Sequence, residues 1–262
     1  MASMQSRSPP REVRLDPLVL PSLDGLSDRL KTKLAAFDGR LHGWSPMTAE
    51  AFLQRHGVSD SGTDGLAASL RHLDHPNGLA YRAVARVRSE SFTRSAWEQP
   101  ALEALRCGGH ADPSNLAAFI AHASEMKAIG AVRSTPSASA RNRAGWRVRY
   151  PEPESVQTEV RLIQRWINDN LPNSALWTAS IAMVSLATLH PLVDGNGRLS
   201  RMLFNLILHY GGLQRGAYVP VSEVFAASSG GKELREKHAY YRGDWGPFIS
   251  YILDAAEATT AR

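Results

Sequence analysis

Cysteine is almost absent from this chain of 262 residues, in which Cys107 is the only one. A single thiol cannot form an internal disulfide, and it excludes a metal centre built from several cysteines. Residues 1–14 also lack the apolar stretch of a cleaved signal peptide. From these absences we expect a cytoplasmic protein, while delivery into another cell stays open.

A nucleic-acid-binding motif is also lacking, although the chain carries a formal net charge of +5. Neither a zinc-ligand pattern nor a stacking-aromatic motif accompanies the basic residues, so we expect no specific nucleic-acid partner. Residues 171–193 contain no charged side chain and are long enough to cross a membrane. Their serines, threonines and asparagine favour a helix buried among other helices, and we expect no membrane span.

Apolar residues recur at helical spacing along most of the chain, which predicts an all-α, mainly helical fold. The predicted helices cover residues 24–37, 49–56, 66–73, 80–88, 97–106 and 115–126, and a further helix starts at residue 155. Residues 1–22 contain four prolines and are expected to be a flexible segment, followed by a helical region over residues 23–110. Residues 146–150 alternate and are rich in strand formers, so we predict a short β-hairpin, with a plain connector as the alternative.

The densest cluster of reactive side chains lies at residues 190–201, which read His-Pro-Leu-Val-Asp-Gly-Asn-Gly-Arg-Leu-Ser-Arg. Pro191 disfavours helical geometry at the residue before it, so His190 should end the preceding apolar helix with its ring beside a pocket. Gly195 and Gly197 allow a loop whose backbone N–H groups converge on an anion. A second helix that begins after this loop would point its free N–H groups at the same place, which favours phosphate.

Charged side chains of both signs complete this run. Arg198 and Arg201 are three residues apart and share one face of the second helix, where two forked guanidiniums suit a polyphosphate. Asp194 is the only carboxylate in the run and is placed to hold Mg²⁺ together with substrate phosphates. Each feature alone also has a plain structural reading, as a helix end, a turn or a solvated helix face. Their combination in this order favours a magnesium-bound triphosphate held beside a proton acceptor.

The same run resembles the core motif of the Fic family, HPFx(D/E)GNGRxxR, with every polar position filled and Leu192 in place of phenylalanine. Val148-Arg149-Tyr150, which is followed by prolines, resembles the end of the flap hairpin of that family, and residues 240–249 resemble its last helices. The resemblance implies a Fic catalytic domain over residues 111–258 with a short β-hairpin flap before the core helices. It leaves the role of residues 1–110 open between target recognition and regulation.

The resemblance implies a protein adenylyltransferase, which moves AMP from ATP to a tyrosine, threonine or serine hydroxyl of a target protein. His190 would take the hydroxyl proton, and Asp194 would hold Mg²⁺. The nucleotide phosphates would be bound by Gly195, Asn196, Gly197, Arg198 and Arg201. An extended target segment would add as a strand to the flap residues Val148, Arg149 and Tyr150.

The donor and the mode of inhibition stay open at this point. A protein of the same fold can use UTP, transfer phosphocholine or transfer a phosphoryl group. The other alternative is a regulator that binds a nucleotide without catalysing any transfer. Many family members carry an inhibitory helix with the pattern (S/T)xxxE(G/N), whose glutamate pairs with the second arginine. Ser155…Glu159 and Ser229…Glu233 match its first part, and neither is followed by Gly or Asn. Inhibition is therefore absent, supplied by a small partner protein, or supplied by a diverged element.

Overall fold

The computed structural model describes residues 11–55, 94–126, 129–139, 146–227 and 231–260. These residues are mainly helical, which confirms the predicted fold class. Their α-helices are α1 (Asp28–Asp38), α2 (Ala49–Arg55), α3 (Arg94–Cys107), α4 (Leu116–Ser124), α5 (Pro153–Asn170), α6 (Ala175–Leu189), α7 (Asn196–Tyr210), α8 (Val221–Ala227), α9 (Gly231–Arg242) and α10 (Gly246–Ala258). Short 3₁₀ turns lie at Leu23–Gly25, Leu41–Gly43 and Pro113–Asn115, and the strands are β1 (Arg11–Arg14) and β2 (Trp146–Arg149).

Helix α6 is the central element of the fold, as its uncharged sequence predicts. Its residues are buried almost without exception. Ser174 caps its start by accepting the N–H of Trp177, and the hydroxyls of Ser180 and Ser185 donate to carbonyls one turn earlier. These internal bonds satisfy the polar groups that burial would otherwise leave unpaired. Within the described part of the chain, no helix is both long and apolar enough to cross a membrane.

Other helices surround α6 on several sides. Helix α7 runs along it with the most extensive contact, and α5, α1 and α10 pack on its remaining faces. Helix α3 packs on the outer side of α7 and against α8. Buried side chains of α1, such as Phe37, belong to the same hydrophobic core as Trp177 and Phe204. The predicted boundary at residue 110 is therefore not visible as a break in the packing of the described residues.

The helix ends follow local capping signals. Helix α1 begins at Asp28 because the Ser27 hydroxyl accepts the N–H of Leu30, four residues later than the predicted start. Helix α7 begins at Asn196, within the predicted glycine loop instead of after it, because Gly195 adopts the left-handed conformation at its N-cap. The predicted helices over residues 66–73 and 80–88 lie outside the described residues.

The small sheet contains one expected and one unexpected strand. Strand β2 matches the predicted strand, and residues 137–139 pair with it in antiparallel fashion: Ser139 N–H donates to Val148 O (2.7 Å) and Tyr150 N–H donates to Ser137 O (3.0 Å). Strand β1 pairs with β2 in parallel. The prediction that residues 1–22 are flexible is therefore wrong for Arg11–Arg14. A local proline signal could not reveal a strand that is stabilised by a partner 135 residues away.

Candidate active site

His190 lies at the C-terminal end of α6, where the sequence predicted it. Its backbone N–H closes the helix by donating to Leu186 O, and its φ of 53° and ψ of 56° are left-handed. It is the only residue other than glycine with a positive φ among the described residues. Such a conformation costs of order 1–3 kcal/mol and persists where the surroundings hold it. The strained turn aims the imidazole away from the helix axis and into the cavity described below.

The His190 ring is held between a carbonyl oxygen and an aromatic ring. Nδ1 lies 3.4 Å from Ala187 O, and the Tyr150 ring stacks on the imidazole with centroids 3.7 Å apart and planes 7° apart. Because a carbonyl only accepts, Nδ1 carries the proton and Nε2 is left free to accept one. Burial, with Arg133 adding to it, lowers the pKa of His190 below its usual 6.5. The imidazole is therefore neutral near pH 7, as a general base must be.

Arg133 fixes the histidine turn to the base of the flap. Its buried guanidinium donates to His190 O (2.6 Å), Leu189 O (3.2 Å) and Pro151 O (2.5 Å). Carbonyls at a helix C-terminus attract a cation because they have no partner within the helix. Sequence reasoning missed Arg133, since nothing in its local sequence indicates contact with a helix end 56 residues away.

The loop between α6 and α7 is held rigidly by backbone pairing and by Asn196. Residues 130–133 run antiparallel to it, with Arg133 N–H donating to Pro191 O (2.9 Å) and Val193 N–H donating to Ala131 O (2.9 Å). Leu192 is fully buried. The Asn196 amide accepts the N–H of Leu192 (2.9 Å) and donates to its carbonyl (2.8 Å). This side chain therefore shapes the loop, and its predicted contact with phosphate stays a prediction.

The first turn of α7 is the place where the sequence predicts an anion site. Gly195 has a φ of 84°, which a side chain would strain. A Cβ at Gly197 would lie 3.1 Å from a terminal nitrogen of Arg201, so glycine allows this guanidinium to lie against the helix start. Free N–H groups at the helix N-terminus and a nearby guanidinium both favour negatively charged oxygens.

A cavity of about 340 Å³ opens beside these groups. Its lining includes His190, Asn196 and Gly197 from the predicted site, and Val148 and Tyr150 from the predicted flap. Helix α9 closes the opposite side with residues that sequence reasoning did not assign to the site, namely Lys232, Glu236, Lys237, Tyr240 and Tyr241. Lys232 is paired with Glu236 (2.6 Å), so Lys237 supplies the net positive charge on this side of a cavity that already meets a helix N-terminus, which suits an anionic ligand.

Asp194 and Arg198 lie at the outer rim of this site. Asp194 accepts the N–H of Gly195 (2.6 Å) and the guanidinium of Arg198 (3.1 Å), and its side chain is 82% exposed. No cluster of three or more metal-ligating side chains occurs in the described residues. One exposed carboxylate beside the predicted anion site nevertheless fits Mg²⁺, which proteins hold by one or two carboxylates together with substrate phosphates.

Arg201 is engaged by a glutamate that the sequence did not point to. Glu98 of α3 is fully buried, and Arg201 Nε donates to its two carboxylate oxygens at 2.9 and 3.2 Å, with a further bond from the terminal nitrogen. The Tyr218 hydroxyl also donates to Glu98 (2.9 Å). The guanidinium predicted to hold the end of the triphosphate therefore already has a carboxylate partner.

A second buried carboxylate holds the start of the helix that carries Glu98. Glu223 of α8 accepts the backbone N–H of Ser95 (3.1 Å) and also the Ser95 hydroxyl. Burial, with Glu98 adding to it, raises the pKa of Glu223 to about 7. The pattern search missed this arrangement because Ser95 precedes Glu98 by three residues instead of four, and because Gln99 follows.

The flap residues divide between the cavity and the surface. Val148 and Tyr150 line the cavity, whereas the Arg149 side chain bonds to Glu152 (3.0 Å). This division follows from the strand period of two, which sends successive side chains to opposite faces. Val148 and Tyr150 thus line the same cavity as His190, and Arg149 takes part in the sheet through its backbone.

Comparisons with known proteins agree with this architecture. Residues 113–208 match the sequence model of the Fic/DOC family. Protein adenylyltransferase fic-1 of Caenorhabditis elegans is 32% identical over 112 residues, and protein adenylyltransferase Fic of Drosophila melanogaster is 31% identical over 116 residues. Each match covers 42% of this chain and 21% of the relative, so the chain corresponds to about a fifth of those proteins.

A solved structure extends the likeness to the fold. The crystal structure of a Fic family protein from Desulfovibrio desulfuricans G20 is 20% identical, covers 90% of this chain and 66% of that chain, and has a TM-score of 0.51. The matched segment 113–208 contains the end of α6 with His190, the glycine loop and most of α7. Residues 113–208, which carry the candidate site, are therefore similar to a Fic/DOC domain.

Proposed function

We propose that this protein transfers AMP from ATP to a tyrosine, threonine or serine hydroxyl of a target protein. The observation that supports this most is the juxtaposition of a neutral histidine and a helix N-terminus across one cavity. His190 is held with Nε2 free to accept a proton, and Gly197 lies at the first turn of α7 on the same cavity wall. The relatives are named protein adenylyltransferases, so the group that we expect to be transferred is the adenylyl group.

His190 acts as the general base in this proposal. Nε2 takes the proton from the target hydroxyl while the hydroxyl oxygen bonds to the α-phosphorus and pyrophosphate leaves. Arg133 holds the histidine backbone and Tyr150 holds its ring, so that the base meets the hydroxyl in one orientation. The lowered pKa keeps the base unprotonated at neutral pH.

Donor phosphates bind at the start of α7. The N–H group of Gly197 faces the anion, and the N–H group of Gly195 exchanges its present bond to Asp194 for a phosphate oxygen. Arg198 binds the leaving phosphates, and Arg201 binds their far end. Asp194 would hold Mg²⁺, which would neutralise charge on the phosphate oxygens when bound. Arg198 then exchanges its exposed bond to Asp194 for phosphate oxygens, at small cost because surface pairs contribute about 0–1 kcal/mol.

Glu98 restrains the enzyme in this proposal, as the diverged element among the three alternatives. A carboxylate that occupies Arg201 removes one phosphate ligand and adds a negative charge where the triphosphate would end. Both effects oppose ATP binding in the productive orientation. Inhibition by a separate partner protein stays a prediction.

The test compares ATP tagged on the α-phosphate with ATP tagged on the γ-phosphate, with the purified chain and a cell lysate. We expect label from the α-tagged sample only. His190→Ala should keep ATP binding and reduce transfer by about 10²–10⁴-fold, which is the usual contribution of a general base. Label from the γ-tagged sample alone would instead indicate a kinase-type reaction, and full transfer by His190→Ala would refute the role of the base.

A further inference from the structure

Both backbone edges of β2 are paired within the chain. On one edge, Ser139 and Tyr150 bonds join β2 to residues 137–139. On the other edge lies β1, in a parallel register that pairs Glu12 with Arg147 and Arg14 with Arg149. An extended segment from another protein could add to β2 only by replacing one of these two neighbours. The N-terminal strand is the neighbour that is not part of the flap hairpin.

Side chains and backbone together hold β1 in this place. The Arg147 guanidinium donates to the Glu12 carboxylate (2.5 Å from Nε), and Arg14 forms a longer ion pair with Glu152 at 3.5 Å. Beyond the strand, Leu15 N–H donates to Arg149 O (2.8 Å) and Asp16 O accepts the Tyr240 hydroxyl (2.6 Å). The segment thus spans from the flap to helix α9.

Leu15 is the residue of this segment that reaches the catalytic cavity. The register that pairs Arg14 with Arg149 places Leu15 beside Tyr150, and in a parallel pair the neighbouring side chains lie on the same face. Tyr150 stacks on His190, and all three residues line the cavity. Leu15 carries no hydroxyl, so nothing in this position can accept a group.

We propose that Arg11–Asp16 is an intramolecular pseudosubstrate, which occupies the flap edge where an extended target segment binds and holds Leu15 where the accepting residue belongs. The proposal rests on the proposed function of this site. It defines the target segment chemically: an extended stretch that runs parallel to β2, with a carboxylate three residues before the modified hydroxyl. Arg147 recognises that carboxylate, as it now binds Glu12.

A hydroxyl at position 15 should convert this strand into a substrate. In the Leu15→Thr chain, the threonine oxygen forms a bond to the α-phosphorus of ATP. The bond from that phosphorus to the bridging oxygen breaks, pyrophosphate leaves with the electron pair, and the hydroxyl proton passes to His190. The chain should then gain one adenylyl group on residue 15, located by mass spectrometry.

The matched control is Val19→Thr, which adds the same hydroxyl a few residues further along at a position that is 87% exposed and does not line the cavity. We expect labelling of residue 15 to exceed labelling of residue 19 by at least about tenfold, because only the first is held beside the base. Adding His190→Ala to Leu15→Thr should abolish the labelling of residue 15. Equal labelling at both positions, or none at residue 15 while lysate proteins are labelled, would overturn the pseudosubstrate.

Peptide binding tests the occupied edge without any transfer. The probe is a fluorescent peptide of residues 11–18 in their natural sequence, added to the chain of 262 residues. Val13→Pro removes a strand N–H and should loosen β1, so that the probe binds several-fold more tightly than to the wild type. Val19→Pro is the matched control and should bind as the wild type does.

The two arms separate failure of this inference from failure of the proposed function. If neither residue 15 nor lysate proteins gain label, the proposed AMP transfer is refuted. The assignment of residue 15 to the position of the modified hydroxyl is refuted with it. If transfer occurs but Val13→Pro and Val19→Pro bind the probe equally, the flap edge is not contested by β1 and the inference is wrong.

Discussion

Replacing Glu98 by glutamine tests whether the buried ion pair withholds Arg201 from ATP. The carboxylate is fully buried and the Arg201 side chain is 12% exposed. Burial lowers the pKa of Arg201, but attraction to Glu98, Tyr218 and Glu223 outweighs it, so the net pKa is raised and the guanidinium stays charged. Glutamine keeps the size of the side chain and can still accept the Tyr218 hydroxyl, but it removes the negative charge.

Two effects of opposite direction follow from the burial of this pair. Breaking a buried pair costs about 3–5 kcal/mol. A tenfold change corresponds to about 1.4 kcal/mol, so the wild type withholds Arg201 by roughly 10²-fold to 4 × 10³-fold. Transfer should rise in Glu98→Gln by up to about that factor. The variant also leaves Arg201 buried without a counter-charge, so a loss of about 3 kcal/mol should lower Tm by roughly 6–12 °C for a chain of this size.

The assay measures α-label transfer and thermal unfolding on the same samples, with and without ATP. Glu103→Gln is the matched control, since it lies on the same helix in a partly exposed pair with Arg106 and should change neither quantity much. ATP should restore part of the lost Tm in Glu98→Gln, because its phosphates give Arg201 a new partner. A variant that loses both stability and transfer would refute the restraint and make the pair purely structural.

Three further predictions concern pH and target choice. The acid limb of the kcat/KM profile should have its midpoint below 6.5, because burial lowers the pKa of His190; a higher midpoint contradicts this. The pKa of Glu223 in the folded protein is raised from 4.5 to about 7. Its protonation therefore stabilises the fold fully below about pH 4.5, and this stabilisation is lost as the pH rises through about 7. In urea titrations, the free energy of unfolding of the wild type should fall between about pH 5 and about pH 8 by up to roughly 3 kcal/mol more than that of Glu223→Gln. Arg147→Glu, tested in the Val13→Pro chain, should reverse which peptide binds more tightly. A peptide of residues 11–18 with arginine in place of Glu12 should then bind a few-fold more tightly than the natural peptide.

The elements that sequence reasoning located are those governed by local signals. The end of α6 at His190 follows from Pro191, and the start of α7 follows from a glycine that tolerates a positive φ. The burial of Leu192 follows from its apolar character between two helices. Such features depend on a few adjacent residues, so a single sequence is enough to predict them.

The elements that it missed depend on contacts between distant segments. Arg133 meets a helix end 56 residues further along, and Glu98 meets Arg201 across 103 residues. An arginine or glutamate side chain most often faces solvent, and the neighbouring sequence does not reveal a distant partner. Strand β1 is the third case, because four residues form a strand only when a neighbour completes their hydrogen bonds.

The restraints at Arg201 and at the flap should act independently, because they share no residue. Strand β1 pairs with β2 on the target side, whereas α3 packs on α7 and α8 on the phosphate side. Distant changes without shared partners usually add within about 0.3–0.5 kcal/mol. The gains of Glu98→Gln and Val13→Pro in labelling a peptide of residues 11–18 with threonine at position 15 should therefore multiply in the double variant. If the double variant only equals the better single variant, both contacts release in one movement of the N-terminal part, and independence is refuted.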